Sequence, residues 1–376
     1  MSTKRKSTDT DDDGRMICLL CNENFSSRNK LFKHIPNCSR NAGTTAENEV
    51  VGASYDLSDK YIYVTGGRCR GRTLGSVERF SLHRGIWETC PRMLENRGSH
   101  GAAGCGSRLF AFGGGGFDNN LATCEELVDG AWKPIAPMKT FRHALTVTEA
   151  VVDSLFFATK QTAILPVSEQ HLNTPRVPLV FCIGGWIDGK ECSAHVEAYD
   201  VVSDTWHDCA PLICPRKLHG AASVGHELYV FGGNGNDTQL WHTAAVESYD
   251  LSTNAWTRRR DLPSTGPCSA IAIGDVVYVL MHGKRMYRYD RHGDSYHPLA
   301  PLPLKEWFTF DVTTCGTCIY VHGGASEGVW SKAFFAYDTR TDVWTKMPDM
   351  SQQRRRCAAA IVTVTAAPMS TVVLTA

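Results

Sequence analysis

The chain has 376 residues, room for one large domain or two to three ordinary ones. Its 39 basic and 39 acidic side chains cancel, which argues against a polybasic coat for nucleic acid or membrane and leaves only local patches. No apolar run reaches the ~18 residues of a membrane-spanning helix, and 33 glycines point to a turn-rich β protein.

Residues 1–14, "MSTKRKSTDTDDDG", are small, charged and without apolar periodicity, and read as a disordered tail. The stretch lacks the apolar segment of a secretory signal, so the nucleus or cytoplasm is the expected location. Lys4, Arg5 and Lys6 are too few for a firm nuclear import motif. In a reducing compartment the 15 cysteines are expected to serve mostly as free thiols that pack like small hydrophobes.

Residues 15–40 contain the spacing Cys18-x2-Cys21-x12-His34-x3-Cys38. Zinc takes four tetrahedral thiolate or imidazole ligands, and this set supplies all of them, with no open position for catalysis. A segment this short cannot fold without the metal. Phe25 and Leu31 stand where a ββα finger places its two core apolar side chains. The stretch therefore resembles a two-Cys two-His zinc finger whose last histidine is replaced by cysteine. That resemblance puts Ser27, Lys30 and Lys33, with Asn29 beside them, on the helix face that contacts bases or phosphates. One finger reads only about three base pairs, and the exposed Phe32 on the same helix suits a protein contact better. Residues 41–49 are a polar linker; counted with Ser39 and Arg40, its about eleven flexible residues reach ~18 Å on average.

From residue 50 to 365 the sequence repeats. A diglycine follows a short apolar run in "YIYVTGG", "LFAFGGGG", "LVFCIGG", "LYVFGG" and "CIYVHGG". Each is followed by a polar loop, then a second apolar stretch such as "VEAYD" or "VESYD". A tryptophan comes 18 to 23 residues after the diglycine, at Trp87, Trp132, Trp206, Trp256 and Trp344. A proline-containing turn and often an arginine close the unit. A worn copy, "VVYVLMHGKRMYRYDRHGDSYHPLAPLP", keeps Gly283, Tyr289 and Asp290 and puts Tyr296 in place of the tryptophan. Four short strand candidates per unit and a period of mostly 40 to 51 residues imply one four-stranded blade per repeat. The diglycine ends the second strand at a sharp turn where glycine permits positive φ and close backbone approach. The tryptophan is expected to fill the gap between blades.

This pattern resembles the kelch repeat. The resemblance implies an all-β fold, a six-bladed kelch-type β-propeller preceded by the small ββα zinc finger. The third repeat carries an insertion at about 150–176, which by kelch geometry leaves the face opposite the usual binding loops. Residues Cys357–Val364 are expected to add a strand to the first blade and close the ring, a partial seventh blade being the alternative. Residues 366–376 are a tail or a continuation of that strand.

Loops after the diglycines gather on one face of such a propeller. They carry Arg68, Arg70, Arg72, Phe117, Trp186, Trp241 and Trp330, a mixture of aromatic and arginine side chains typical of binding hot spots. Other constellations are weaker. Cys315-Gly-Thr-Cys318 straddles a turn between two strand candidates, so it reads as a cross-strand pair in a hairpin. His100, His143 and His219 follow the arginine turns and are expected to be structural. No tight His/Asp/Glu spacing suggests a metalloenzyme, and no diglycine loop has the phosphate-loop sequence. The expectation is a non-enzymatic adaptor that holds one structural zinc and binds a protein partner, with no membrane and no small-molecule substrate. A nucleic-acid-associated regulator is the alternative, and a kelch-type enzyme the third.

Overall fold

A computed structural model describes residues 16–17, 24–25, 60–115, 120–153, 176–187, 191–236 and 241–364. The chain divides into two units, Met1–Ser58 and Asp59–Ala376. In the first, strands Met16–Ile17 and Asn24–Phe25 pair antiparallel. They flank residues 18–23, the stretch that includes Cys18 and Cys21. The four expected zinc ligands, and Ser27, Asn29, Lys30, Phe32 and Lys33, lie outside the described residues.

In the second unit the described residues form six antiparallel sheets with four strands in series, the last of them with a fifth short strand, together with two small two-stranded hairpins and no helix. Blade 2 runs Gly101–Cys105, Arg108–Phe112, Cys124–Val128 and Ala131–Ile135. Blade 3 runs Thr146–Asp153, Arg176–Ile183, Val196–Asp200 and Thr205–Asp208. Blade 4 runs Gly220–Val224, Glu227–Phe231, Val246–Asp250 and Ala255–Arg259. The worn repeat is a complete blade 5: Cys268–Ile273, Val276–Met281, Met286–Asp290 and Ser295–Pro298. Blade 6 runs Phe308–Cys315, Cys318–Ser326, Phe334–Asp338 and Val343–Lys346. Blade 1 takes Lys60–Thr65, Val77–Ser81 and Ile86–Cys90 from the start of the repeats and Ala358–Thr363 from their end. That last strand pairs with Lys60–Thr65 from Thr65↔Ala358 to Lys60↔Thr363, as expected for ring closure. The innermost strands neighbour one another in cyclic order around the axis. The fold is a six-bladed propeller.

The second strand of each blade is buried on both faces because neighbouring blades cover it. Leu179–Ile183 and Leu228–Phe231, for instance, have no residue more than 1% exposed. Such strands read as continuous apolar runs, not alternating ones. The diglycines do what the turn requires: Gly66 has φ 53° and Gly67 φ 95°. A Cβ on Gly66 would sit 2.3 Å from the Arg97 carbonyl oxygen, so no side chain fits there.

The tryptophans join blades through a repeated bond. Trp132, Trp206 and Trp256 donate their indole N–H to the carbonyls of Pro91, Ala136 and Ala210, each in the loop leaving the preceding blade, at 3.0, 2.8 and 2.7 Å. Tyr296 does the same in blade 5, its hydroxyl donating to Arg260 O at 2.7 Å. The expected insertion at about 150–176 overlaps the ends of two strands of blade 3. Residues 150–153 extend the innermost strand of blade 3 and Arg176 opens the next, so residues 154–175, outside the described set, make up what remains.

Candidate functional site

The loop entering each innermost strand lies beside the loop that follows the same blade's diglycine. Isolated bridges mark the contact: Arg68 with Arg355, Gly98 with Gly115, His143 with Trp186, Lys217 with Asn234. Both loop sets therefore form one face. Among the described residues, five of the ten large exposed apolar side chains belong to these loops, namely Leu94, Phe141, Ile213, Trp241 and Val329, and a sixth, Phe308, opens the innermost strand of blade 6 beside them. Apolar exposure is thus weighted to this face.

Two basic-aromatic groups stand out on it. On blades 3 and 4, Lys217 Nζ lies 2.9 Å from the Trp186 ring centroid and 5.2 Å from that of Trp241. Trp186 is half-buried and Trp241 is 49% exposed. Where blade 6 meets blade 1, the Arg355 guanidinium carbon lies 5.1 Å from the Trp330 ring centroid. Arg68, itself buried, reaches the Gly115 carbonyl at 3.4 Å. Arg70 and Arg72 extend outward on the small hairpin of Arg68–Cys69 and Arg72–Thr73. Phe117 lies outside the described residues. So the structure joins Arg68 and Trp330 into one group, and Trp186 and Trp241 into another.

Lys217, Arg355 and Arg356 belong to the same face and were not anticipated, although "QRRRC" displays its basic run openly. The cations are close enough to oppose one another. Burial, then Arg355, lowers the pKa of Arg68; burial, then Arg68 and Arg355, lowers that of Arg356. Burial lowers Lys217, with Arg356 adding to it. Burial and then the field of Arg356, Arg68 and Lys217 bring His143 down to about 4, which leaves it neutral at physiological pH. Among the described residues, Lys217, Arg355 and Arg356 make no ion pair with a carboxylate.

The grouping of three histidines needs correction. His100 and His219 each stand three residues after their arginine and are buried; His143 directly follows Arg142 and is half-buried on the face. His100 hydrogen-bonds Thr65 Oγ1 through Nε2 at 2.7 Å, and burial pushes it down to about 3, consistent with a structural role.

The innermost strands enclose an axial cavity of ≈ 390 Å³. Glu149 and Asp311 line it. Glu149 accepts from Gly104 N–H at 2.7 Å and Asp311 from Ala359 N–H at 2.7 Å, so each carboxylate ties its strand to a neighbouring blade. Surrounding protein pushes Glu149 up to about 7 and Asp311 to about 6. Glu149 is also wetted by the channel, which screens its charge.

Two other constellations are accounted for structurally. His195, Glu197 and Asp208 bring donor atoms within 4.8 Å of one another. Glu197, however, is taken by the Arg142 guanidinium at 2.6 Å and Asp208 by Lys139 at 2.5 Å, so basic groups already neutralise both carboxylates. Cys315 and Cys318 face each other across a hairpin, and burial raises both thiols rather than activating them.

The family pattern described as "Kelch motif" matches residues 51–94, 178–213, 215–263 and 309–351. These ranges fall on blades 1, 3, 4 and 6. Among curated proteins the chain is similar to Kelch-like protein 25 of Xenopus tropicalis, 26% identical over 194 residues, which is 48% of this chain and 33% of that protein. It is also similar to Kelch-like protein 38 of Mus musculus, 28% identical over 190 residues, 48% of this chain and 32% of that one. Kelch-like protein 35 of Mus musculus is 28% identical over 211 residues, 53% and 36% respectively. The chain thus spans about a third of the length of the curated relatives it matches. No helix among the described residues is long and apolar enough to cross a membrane.

Proposed function

We propose that this propeller of kelch repeats is a non-enzymatic adaptor, and that its diglycine face binds a protein partner with acidic groups on its surface. The observation that carries the reading is the cluster of Lys217, Arg355 and Arg356 beside Trp186, Trp241 and Trp330, with no carboxylate paired to those cations among the described residues. Aromatic and arginine side chains at the centre of a face are the usual anchors of protein interfaces, and a surplus of one charge selects the opposite charge in a partner.

The segment before the propeller adds a second module in this reading. Cys18, Cys21, His34 and Cys38 would hold one zinc ion, whose part is to fold the segment; the ligand spacing supports this. A weakly binding finger on a short tether gains from the propeller's own binding through effective concentration. Nucleic-acid contact by Ser27, Asn29, Lys30 and Lys33 is the alternative role for that module, and Phe32 favours protein.

The test is capture from cell extract by the full chain, with bound partners identified by mass spectrometry. Replacing Trp241 and Trp330 by alanine is expected to cost at least tenfold in capture, since interface aromatics often contribute about 2 kcal/mol or more, at unchanged melting temperature. Undiminished capture by a folded double variant would reject the face.

A further inference from the structure

The channel mouth on the diglycine face is edged by one residue entering each innermost strand. In cyclic order these are Arg356, Ser99, Ala144, Leu218, Cys268 and Thr309. Backbone hydrogen bonds run around this rim: Ser99 N–H to Arg356 O at 2.8 Å, Ala144 to Ser99 at 2.7 Å, and Leu218 to Ala144 at 3.1 Å. Cys268 donates to Leu218 at 3.2 Å and Arg356 to Thr309 at 2.9 Å. Five rim residues are held in the left-handed region, with φ of 53° at Ser99, Ala144 and Arg356, 54° at Leu218 and 55° at Thr309. That conformation is unusual for any non-glycine residue and most of all for β-branched Thr309.

The rim is chemically two-sided. Ala144, Leu218 and Cys268 make an apolar arc. Thr309, Arg356 and Ser99 make a polar arc, and His282 stands behind it, its ring 4.7 Å from that of Phe310. Ser99, His282, Thr309 and Arg356 all line the cavity. Each holds a solvent-shielded polar atom with no hydrogen-bond partner: Ser99 Oγ, Thr309 Oγ1, Arg356 Nε and His282 Nε2. Buried polar atoms are nearly always paired, so four orphans on one arc call for an occupant. All four can donate.

We propose that this arc binds the phosphoryl group of a phosphate monoester. Three acceptor oxygens and close to two negative charges suit four convergent donors and the cation surplus around Arg356. The shielded atoms meet such a group once the Ser99 and Thr309 hydroxyls turn toward it. Asp311 and Glu149, deeper in the channel, repel an anion and keep it at the mouth. The apolar arc of Ala144 and Leu218 receives the hydrocarbon part of the carrier. The carrier is either a partner's phosphorylated side chain or a small molecule. The inference rests on the diglycine face being the binding face, but it requires no protein partner.

Phenyl phosphate titrated into the full chain and followed by phosphorus NMR tests this directly, with benzoate as the carboxylate comparison. Saturable broadening in the millimolar range or below is expected, with benzoate at least tenfold weaker. Arg356→Gln should weaken binding at least tenfold, equivalent to about 1.4 kcal/mol. Ser99→Ala should weaken it several-fold. Alanine already occupies the same left-handed position at Ala144, so this second variant keeps the test valid if Arg356→Gln does not fold. No saturable binding, benzoate binding as tight as phenyl phosphate, or indifference to both substitutions would each overturn the proposal. A serine phosphopeptide pool binding more tightly than phenyl phosphate places the group on a partner; the reverse order points to a small molecule. Loss of protein capture with phenyl phosphate binding intact would reject the adaptor reading and leave this one standing.

Discussion

Among the described residues four arginines are at most 1% exposed, and each has the same surroundings. Arg97, Arg142, Arg216 and Arg354 are paired with Glu125, Glu197, Glu247 and Glu78 on the third strand of the blade they enter. Each guanidinium also donates to carbonyls at the diglycine turn, as Arg216 does to Gly232 O at 3.0 Å and Ala245 O at 2.6 Å. Removing one partner strands the other charge in the core, so Glu247→Ala is expected to cost about 3–5 kcal/mol in chemical denaturation. Blade 6 offers another solution. Trp307 stands in the arginine position and Phe335 in the glutamate position, with ring centroids 5.7 Å apart. The indole N–H still serves the turn, donating to Gly323 O at 2.7 Å. Combining Arg216→Trp with Glu247→Phe should therefore cost less than Glu247→Ala alone; an equal or larger loss would show the blades are not interchangeable here. The channel carboxylates make a separate prediction. Glu149 is raised above the ordinary carboxylate range in the fold, so the unfolded chain loses this proton first as pH rises. Its contribution to stability is thus full below about pH 4.5 and is lost as pH rises through about 7. Glu149→Gln, which keeps the acceptor for Gly104, should raise the melting temperature relative to the parent at pH 8 and have little effect at pH 5. The same difference at both pH values would contradict this.

At the scale of the blade, stability resides in the junctions. Trp256 fills the gap against blade 3 and donates to Ala210 O. A second bond crosses the same seam: Asn254 Oδ1 accepts from Ala210 N–H at 2.9 Å and from the Tyr249 hydroxyl at 2.5 Å. Asp204, Asp294 and Asp342 repeat this arrangement with Tyr199, Tyr289 and Tyr337. Trp256→Ala is expected to cost about 3–5 kcal/mol of fold stability. Tyr296→Phe, which removes only a hydroxyl, should cost about 1 kcal/mol. Comparable losses would mean that the hydrogen bond, not the ring, holds the seam. The strands, the diglycine turns and these tryptophans were legible in the sequence because local patterns report them: apolar runs, glycine pairs and a near-fixed spacing. The buried ion pairs were only half visible. The arginine showed at the end of each repeat, but its glutamate lies some 28 to 55 residues onward, or across the ring closure for Arg354. The binding face was read in part for the same reason. Trp241 and Trp330 belong to the loops that the repeat marks out. Lys217, Arg355 and Arg356 enter from the other side of the blade, and only the folded ring puts them next to those tryptophans.

For the whole molecule, the expected outcome is two modules with separate stabilities. One zinc per full chain, and none on residues 46–376, should be found by elemental analysis; zinc retained by the shorter form would move the metal to the propeller. Chelation should leave the propeller's cooperative melting in place, since its core is drawn from blades that close on themselves. The closure has a consequence in time. Thr65 and Ala358, hydrogen-bonded side by side in blade 1, are 293 residues apart in the chain. At a synthesis rate of about 5–20 residues per second, the edge of Lys60–Thr65 waits roughly 15–60 s for the strand that covers it. Throughout that interval the growing chain displays an apolar strand with a free hydrogen-bonding edge, which is the template on which other chains aggregate. The ring thus removes its most hazardous surface last, and its yield in the cell depends on keeping that edge apart from others until the final blade is complete.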